Sequence, residues 1–222
     1  MMTSPLIRTI LHILTLGLIL LLSLPGCGGY RFLTDPPPQA VQGIGNQEDE
    51  IRLHEEHYRY DRTGAATLRT HRIIRVGSAG TFSTLSVEDG SMVQLTGYEA
   101  RVVHADGSLE SYDLSDLASS TLSNRIVISQ RLSRSVRLER VPGSGDLVEF
   151  VSEHRLALPQ LGVSFSPADA GDGVLHASCL MEVPPGDTVI ARLVNDTLGT
   201  VPSVLRSEHS TLYRFDWHNV QR

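Results

Sequence analysis

Lysine is absent from this chain. All 19 basic side chains are arginines, and 25 acidic ones face them, for a net charge of −6 at pH 7. Without lysine the protein cannot form a Schiff base, use a lysine nucleophile or donate a lysine to an isopeptide crosslink. A basic patch or stripe, the mark of proteins that bind nucleic acid, is missing too. The composition therefore excludes these chemistries and makes nucleic acid an unsuitable partner.

Cysteine is nearly absent as well, and the first of its two occurrences, Cys27, ends a bacterial lipoprotein signal. Residues 10–22 form an apolar run without acidic side chains, shorter than the roughly 20 residues that a spanning helix needs. Arg8 precedes the run, and the small Gly26 precedes Cys27. We therefore predict a signal peptide over residues 1–26 and lipidation of Cys27, which holds the protein on the membrane.

The residues after Cys27 predict which membrane holds the protein and a spacer between the anchor and the folded domain. Gly28 stands where an aspartate often retains lipoproteins in the inner membrane, so we expect a cell-envelope protein in the outer membrane, facing the periplasm. Asp35 is followed by three prolines, which favour an extended chain. Residues 27–50 are thus predicted to be a lipid-anchored tether rich in proline and glycine, and residues 51–222 a folded domain.

Apolar residues at helical spacing are missing from residues 51–222, where short alternating segments are separated by turn signals. This pattern predicts an all-β fold, an antiparallel β-sandwich of many short strands. The clearest strand covers 174–183. Alternation places five of its side chains in the core: Leu175, Ala177, Cys179, Met181 and Val183.

Two further segments have a definite local prediction. Residues 98–114 are expected to form a hairpin folded at Asp106-Gly107, a pair suited to a two-residue type I′ turn. Residues 113–123 are the one stretch that could form a short helix or helical turn, with Asp113 or Ser115 as its cap.

Aromatic residues make up only 5% of the chain, and three of them share one face of a predicted strand over 210–218. Tyr213, Phe215 and Trp217 lie on that face. An exposed row of this kind, with Tyr58 and Tyr60, would favour a carbohydrate-binding module. With so few aromatics we expect the row to be buried, and the module remains an alternative.

Cys179 is a candidate nucleophile, since a lone cysteine can serve a hydrolase or transferase. Such a cysteine needs a low thiol pKa, exposure and a base within reach. Its neighbours on the predicted face are apolar, and His176 points to the opposite face. We therefore predict an inert core cysteine and no catalytic residue, and keep a Cys179-dependent hydrolase or transferase as the alternative.

Two polar patterns resemble sites but lack the required spacing. His54 and His57 flank two glutamates, yet on a strand they fall on opposite faces, so we predict a surface strand start. Arg131, Arg134 and Arg137 recur every third residue, with Arg140 next, and are predicted to lie on a charged edge strand. No ligand spacing for a metal emerges, and no cofactor is expected.

Four segments, taken in order, carry a resemblance to a known family. They are an opening hairpin at 58–64 and 68–76, a second hairpin at 98–108, a Gly-Asp turn entering a strand at 145–150, and a closing strand at 213–220. They resemble the all-β domain of unknown function that precedes transglutaminase-like domains in bacterial envelope proteins. The likeness spans most of residues 51–222.

The resemblance implies a non-catalytic accessory or binding domain. In that family a Cys-His-Asp transglutaminase-like domain follows the β domain, whereas this chain stops at Arg222, where that domain would begin. Cys179 lies inside the β part and does not match the family's catalytic cysteine. We therefore expect a membrane-anchored protein that binds a protein or cell-wall partner and has no catalytic activity of its own.

Overall fold

The computed structural model of the chain describes residues 39, 48–77, 83–120, 131–156, 164–167, 174–191 and 200–220. They belong to one compact unit, Leu33–Arg222. The predicted signal peptide, Cys27 and nearly all of the predicted tether lie outside the described residues, so their assignments stay predictions. Within the described ranges, no helix has the length and apolar character needed to cross a bilayer.

The described residues form eleven strands and no helix, which confirms the all-β prediction. Several strands are longer than expected, up to 11 residues. The strands are β1 (Glu50–Tyr60), β2 (Ala66–Arg75), β3 (Thr84–Gly90), β4 (Val93–Val103), β5 (Leu109–Asp113), β6 (Ala118–Ser120), β7 (Arg131–Arg137), β8 (Leu147–Leu156), β9 (Val174–Val183), β10 (Ser203–Arg206) and β11 (Thr211–Val220).

The strands form two sheets that share a core. The large sheet has the order β10-β11-β9-β1-β2-β8-β4-β5, and the small one β3-β7-β6. Leu85 and Val136 of the small sheet pack with Ala100 and Val102 of the large one, as expected for a sandwich. The pairing is antiparallel except that β1 and β9 run parallel. Parallel neighbours need a long crossover, and nothing in either strand's own sequence reveals its direction.

The predicted apolar face of β9 is right at its centre and wrong at its start. Ala177 and Cys179 are buried, but Leu175 is 40% exposed and Val174 is buried instead. Val174 pairs with Ile51 of β1, beside a register shift in that strand. Strict alternation fails at such irregularities because the strand bends and twists there.

The hairpin at 98–114 is confirmed as β4 and β5, but its turn differs from the expected type. Among these residues only Gly107 has a positive φ, +85°, whereas a type I′ turn needs two. Gly107 N–H donates to the His104 carbonyl at 2.9 Å, and His104 N–H donates to the Ser108 carbonyl at 2.9 Å. The loop is therefore longer than two residues, and the left-handed Gly107 is the last residue of a four-residue turn that begins at His104.

The candidate helix at 113–123 is a single turn in its described part. Asp113 caps it, since Oδ1 accepts from the Ser115 N–H at 2.7 Å, and the Asp116 N–H donates to the Asp113 carbonyl. The chain then enters β6, and residues 121–123 lie outside the described part.

The prediction that the arginine-rich strand lies at the edge of a sheet is wrong. β7 is the middle strand of the small sheet, paired with both β3 and β6. Arg134 turns inward and donates to the carbonyls of Leu114 and Leu117. The guanidinium of Arg134 therefore holds the turn between β5 and β6. Arg140, which follows β7, forms an ion pair with Asp106.

The buried His104 connects the β4–β5 hairpin to the turn before β8 through hydrogen bonds. His104 Nδ1 lies 2.7 Å from Asp146 Oδ2, and Nε2 lies 3.0 Å from Glu110 Oε1. Carboxylates only accept, so both ring nitrogens donate and the ring is an imidazolium. Burial lowers the pKa of His104, but the hydrogen bonds that the ring donates to both carboxylates outweigh burial and hold the pKa above its ordinary value of 6.5.

We expect His104→Gln to destabilise the protein more at about pH 6 than at about pH 9. Because the folded pKa of His104 is raised, its stabilisation is complete below the unfolded pKa and is lost as pH rises through the folded one. Urea unfolding of wild type and variant at both pH values measures this. His209→Gln, in an exposed turn, is the control. An equal loss for His104→Gln at both pH values would contradict an imidazolium.

Candidate functional site

Cys179 lies in the core of the large sheet, as predicted. It is 2% exposed, and its register partners are Phe215 of β11 and Glu56 of β1. Burial and the nearby Glu56 carboxylate raise the pKa of the Cys179 thiol to about 12. The thiol is therefore protonated at neutral pH, and a protonated, buried thiol is not a nucleophile.

β1 brings a polar cluster into the core where the sequence predicted surface. His54 is 3% exposed because β1 is an interior strand, flanked by β2 and β9. Its Nε2 lies 3.2 Å from Arg72 NH2 and 3.5 Å from Glu56 Oε1, while Glu56 accepts from the Tyr58 hydroxyl. The prediction that His54 and His57 face opposite sides is confirmed, since they are three residues apart in one strand.

Most of the aromatic row of β11 is buried, as expected. Phe215 is 3% and Trp217 9% exposed, and Tyr213 is half-buried. Phe165 stacks on Trp217 at 5.3 Å between ring centroids and contacts the His54 ring at 5.1 Å. These rings fill the core between the strands, and they do not offer a flat platform to a sugar.

The opposite side of the large sheet, away from the small sheet, carries charged side chains and histidines, and we name it the polar face. At its centre Glu149 is completely buried. Glu149 Oε1 lies 2.8 Å from His71 Nε2, and Oε2 accepts from Arg101 Nε at 2.6 Å. One carboxylate thus joins β2, β8 and β4.

Toward the β10 edge of the large sheet the polar face carries two stacked histidines. His176 and His218 are register partners, and their rings are 4.7 Å apart between centroids and parallel within 10°. His176 Nε2 lies 3.2 Å from Asp216 Oδ1, and Arg214 Nε contacts both oxygens of Asp216. The side chains of His176 and Asp216 are about one-third exposed, at 30% and 33%.

Sequence reasoning placed His176 on the face of its strand opposite Cys179, but it did not bring His176 and His218 together. It also missed the clusters around Glu149 and His104. Each joins residues from distant strands, so only the register reveals it. Across the described ranges, no group of three or more His, Cys, Asp or Glu side chains is arranged to hold a metal ion.

Comparisons by sequence find no relative: no family model matches the chain, and no curated protein does. Comparison of structures finds a candidate protease from Parabacteroides distasonis ATCC 8503, with a TM-score of 0.64 and 10% identity. The match covers 78% of this chain and 36% of that one. This chain therefore spans little more than a third of that protein.

Weaker structural matches include an M1 zinc metallopeptidase from Deinococcus radiodurans, with a TM-score of 0.43 and 10% identity over 80% of this chain and 40% of that one. A candidate nutrient-binding protein from Legionella pneumophila has a TM-score of 0.37 and 7% identity, over 80% and 65%. At 10% identity the likeness to the Parabacteroides distasonis protein shows a shared fold alone.

Proposed function

We propose that this protein is a lipid-anchored envelope protein whose β-sandwich is a non-catalytic accessory domain that binds a partner. The burial of Cys179 carries the non-catalytic part. A thiol that is 2% exposed, with its pKa raised to about 12, supports a packing role and leaves the cysteine-dependent hydrolase or transferase without its nucleophile. The anchor in this proposal is Cys27.

The accessory role is supported by the way the same fold occurs elsewhere. In the Parabacteroides distasonis protein the matched part is 36% of the chain, so most of that chain lies outside the sandwich. The segments that resemble the domain preceding transglutaminase-like domains suggest a similar arrangement. We propose that this sandwich works with a protein encoded separately, such as an envelope enzyme, and contributes binding to it.

Thiol labelling of the full-length protein in mild detergent tests the non-catalytic assignment. Lipidation converts the Cys27 sulfur to a thioether, so only Cys179 can react. We expect at least about a hundredfold slower labelling in the native state than in guanidinium, because the reagent must wait for the core to open. The Cys179→Ala variant supplies the blank. Fast native labelling that titrates at an acidic or neutral pKa would overturn the assignment and favour cysteine chemistry.

A further inference from the structure

Two imidazoles face each other across the β9–β11 ladder. His176 and His218 are direct register partners on antiparallel strands, and such partners have Cβ atoms about 4.5–5.5 Å apart. Their ring centroids are 4.7 Å apart. Two nitrogens that bind one ion at about 2.1 Å lie about 3 to 3.4 Å from each other, so the rings must turn out of their parallel stack for both lone pairs to point at the same ion.

Asp216 determines which nitrogen of His176 is available. Its Oδ1 lies 3.2 Å from His176 Nε2, and since a carboxylate only accepts, Nε2 carries a proton and Nδ1 is the nitrogen left to bind an ion. Arg214 Nε holds Asp216 at 2.8 and 3.0 Å. Histidines that bind metals usually donate their second nitrogen to a carboxylate in this way. His176 is therefore already oriented as a ligand.

The second imidazole is accessible and adjustable. His218 is exposed, and its ring stacks on that of His176. The His176 side chain is 30% exposed, so an ion from solvent can reach both rings. Neither histidine is part of the Cys179 core, which lies on the other side of the sheet.

We propose that His176 and His218 form a two-histidine chelate for a divalent transition-metal ion, with Asp216 as the positioning residue of His176. Water completes the coordination, because no third ligand side chain converges there among the described residues. Imidazole pairs suit Cu²⁺ best and Zn²⁺ next, whereas Mg²⁺ and Ca²⁺ select oxygen ligands. The site does not depend on the proposed accessory function.

Trp217 supplies the readout, because it is the only tryptophan of the chain and adjoins both Asp216 and His218. Bound Cu²⁺ quenches nearby tryptophan emission, so we expect a saturable, equimolar quenching when Cu²⁺ is added to the full-length protein at neutral pH. Zn²⁺, followed by calorimetry, should bind more weakly and compete with Cu²⁺. Acidification should abolish binding, because protons compete for the imidazole lone pairs.

Matched variants decide whether the pair is the site. His176→Ala and His218→Ala should each remove the saturable phase, and Asp216→Asn should weaken it by about tenfold. The exposed His209→Ala should bind as wild type does. Because His218 is exposed, His218→Ala should melt as wild type does without metal, which separates lost binding from lost folding. Absence of saturable binding, or an equal loss in His209→Ala, would overturn the proposal.

Discussion

Replacing Cys27 by serine should move the protein from the membrane pellet to the soluble fraction almost completely. A lipidated bacterial cysteine carries more than one acyl chain, and two chains anchor a protein stably where one does not. Serine has no thiol and therefore forms no thioether to any of them. The measurement is fractionation of cells that express wild type or Cys27→Ser, followed by immunoblotting after a high-salt wash.

Cys179→Ser is the matched control for that experiment. It removes the other cysteine of the chain and leaves the predicted signal intact, so the protein should remain in the pellet. If Cys27→Ser stayed in the washed pellet to the same extent, the lipid anchor would be wrong. The accessory role of the sandwich would then have to be argued without it.

Glu149→Ala should have the largest effect on stability of any single substitution on the polar face. Glu149 is completely buried and is the shared acceptor of His71 and Arg101. Removing one partner of a buried ion pair leaves uncompensated charge and typically costs about 3–5 kcal/mol. We therefore expect the free energy of unfolding to fall by about 4 kcal/mol, measured by urea unfolding at neutral pH.

Two further variants test whether the loss of stability comes from the buried charge of Glu149. Glu149→Gln keeps the shape but loses the charge, and it should fall between wild type and Glu149→Ala. Glu153→Gln, a half-buried carboxylate on the same strand and the same side, should change the unfolding free energy by less than about 1 kcal/mol. If Glu149→Ala cost no more than Glu153→Gln, the buried network would not stabilise the fold.

The strands were largely predictable because their information is local. Alternation identified β9 and most of its buried face, and it placed Phe215 and Trp217 in the core. The hairpin of β4 and β5 followed from a turn signal between two alternating runs. Its turn type did not, because Asp-Gly suits several turns and the hydrogen bond from Gly107 to His104 selected a longer one.

The clusters on the polar face were not predictable, because they depend on register between strands that are distant in sequence. His176 and His218 meet only when β9 pairs with β11, and Glu149 meets His71 only when β8 lies beside β2. His54 was predicted at the surface for a related reason. Local sequence shows that β1 is a strand, but not that β9 returns from the far end of the domain to cover its second edge.

The interior position of β1 would have a mechanical consequence for a protein held by the proposed N-terminal anchor. β1 is the first strand among the described residues, and β2 and β9 pair with it on both sides. A pull on the membrane anchor would load this strand along its length, so its hydrogen bonds to both neighbours would have to shear together. An outer strand at the same place could be peeled away one bond at a time. If the proposed anchor and partner are correct, the order of strands would let the domain bear tension between them.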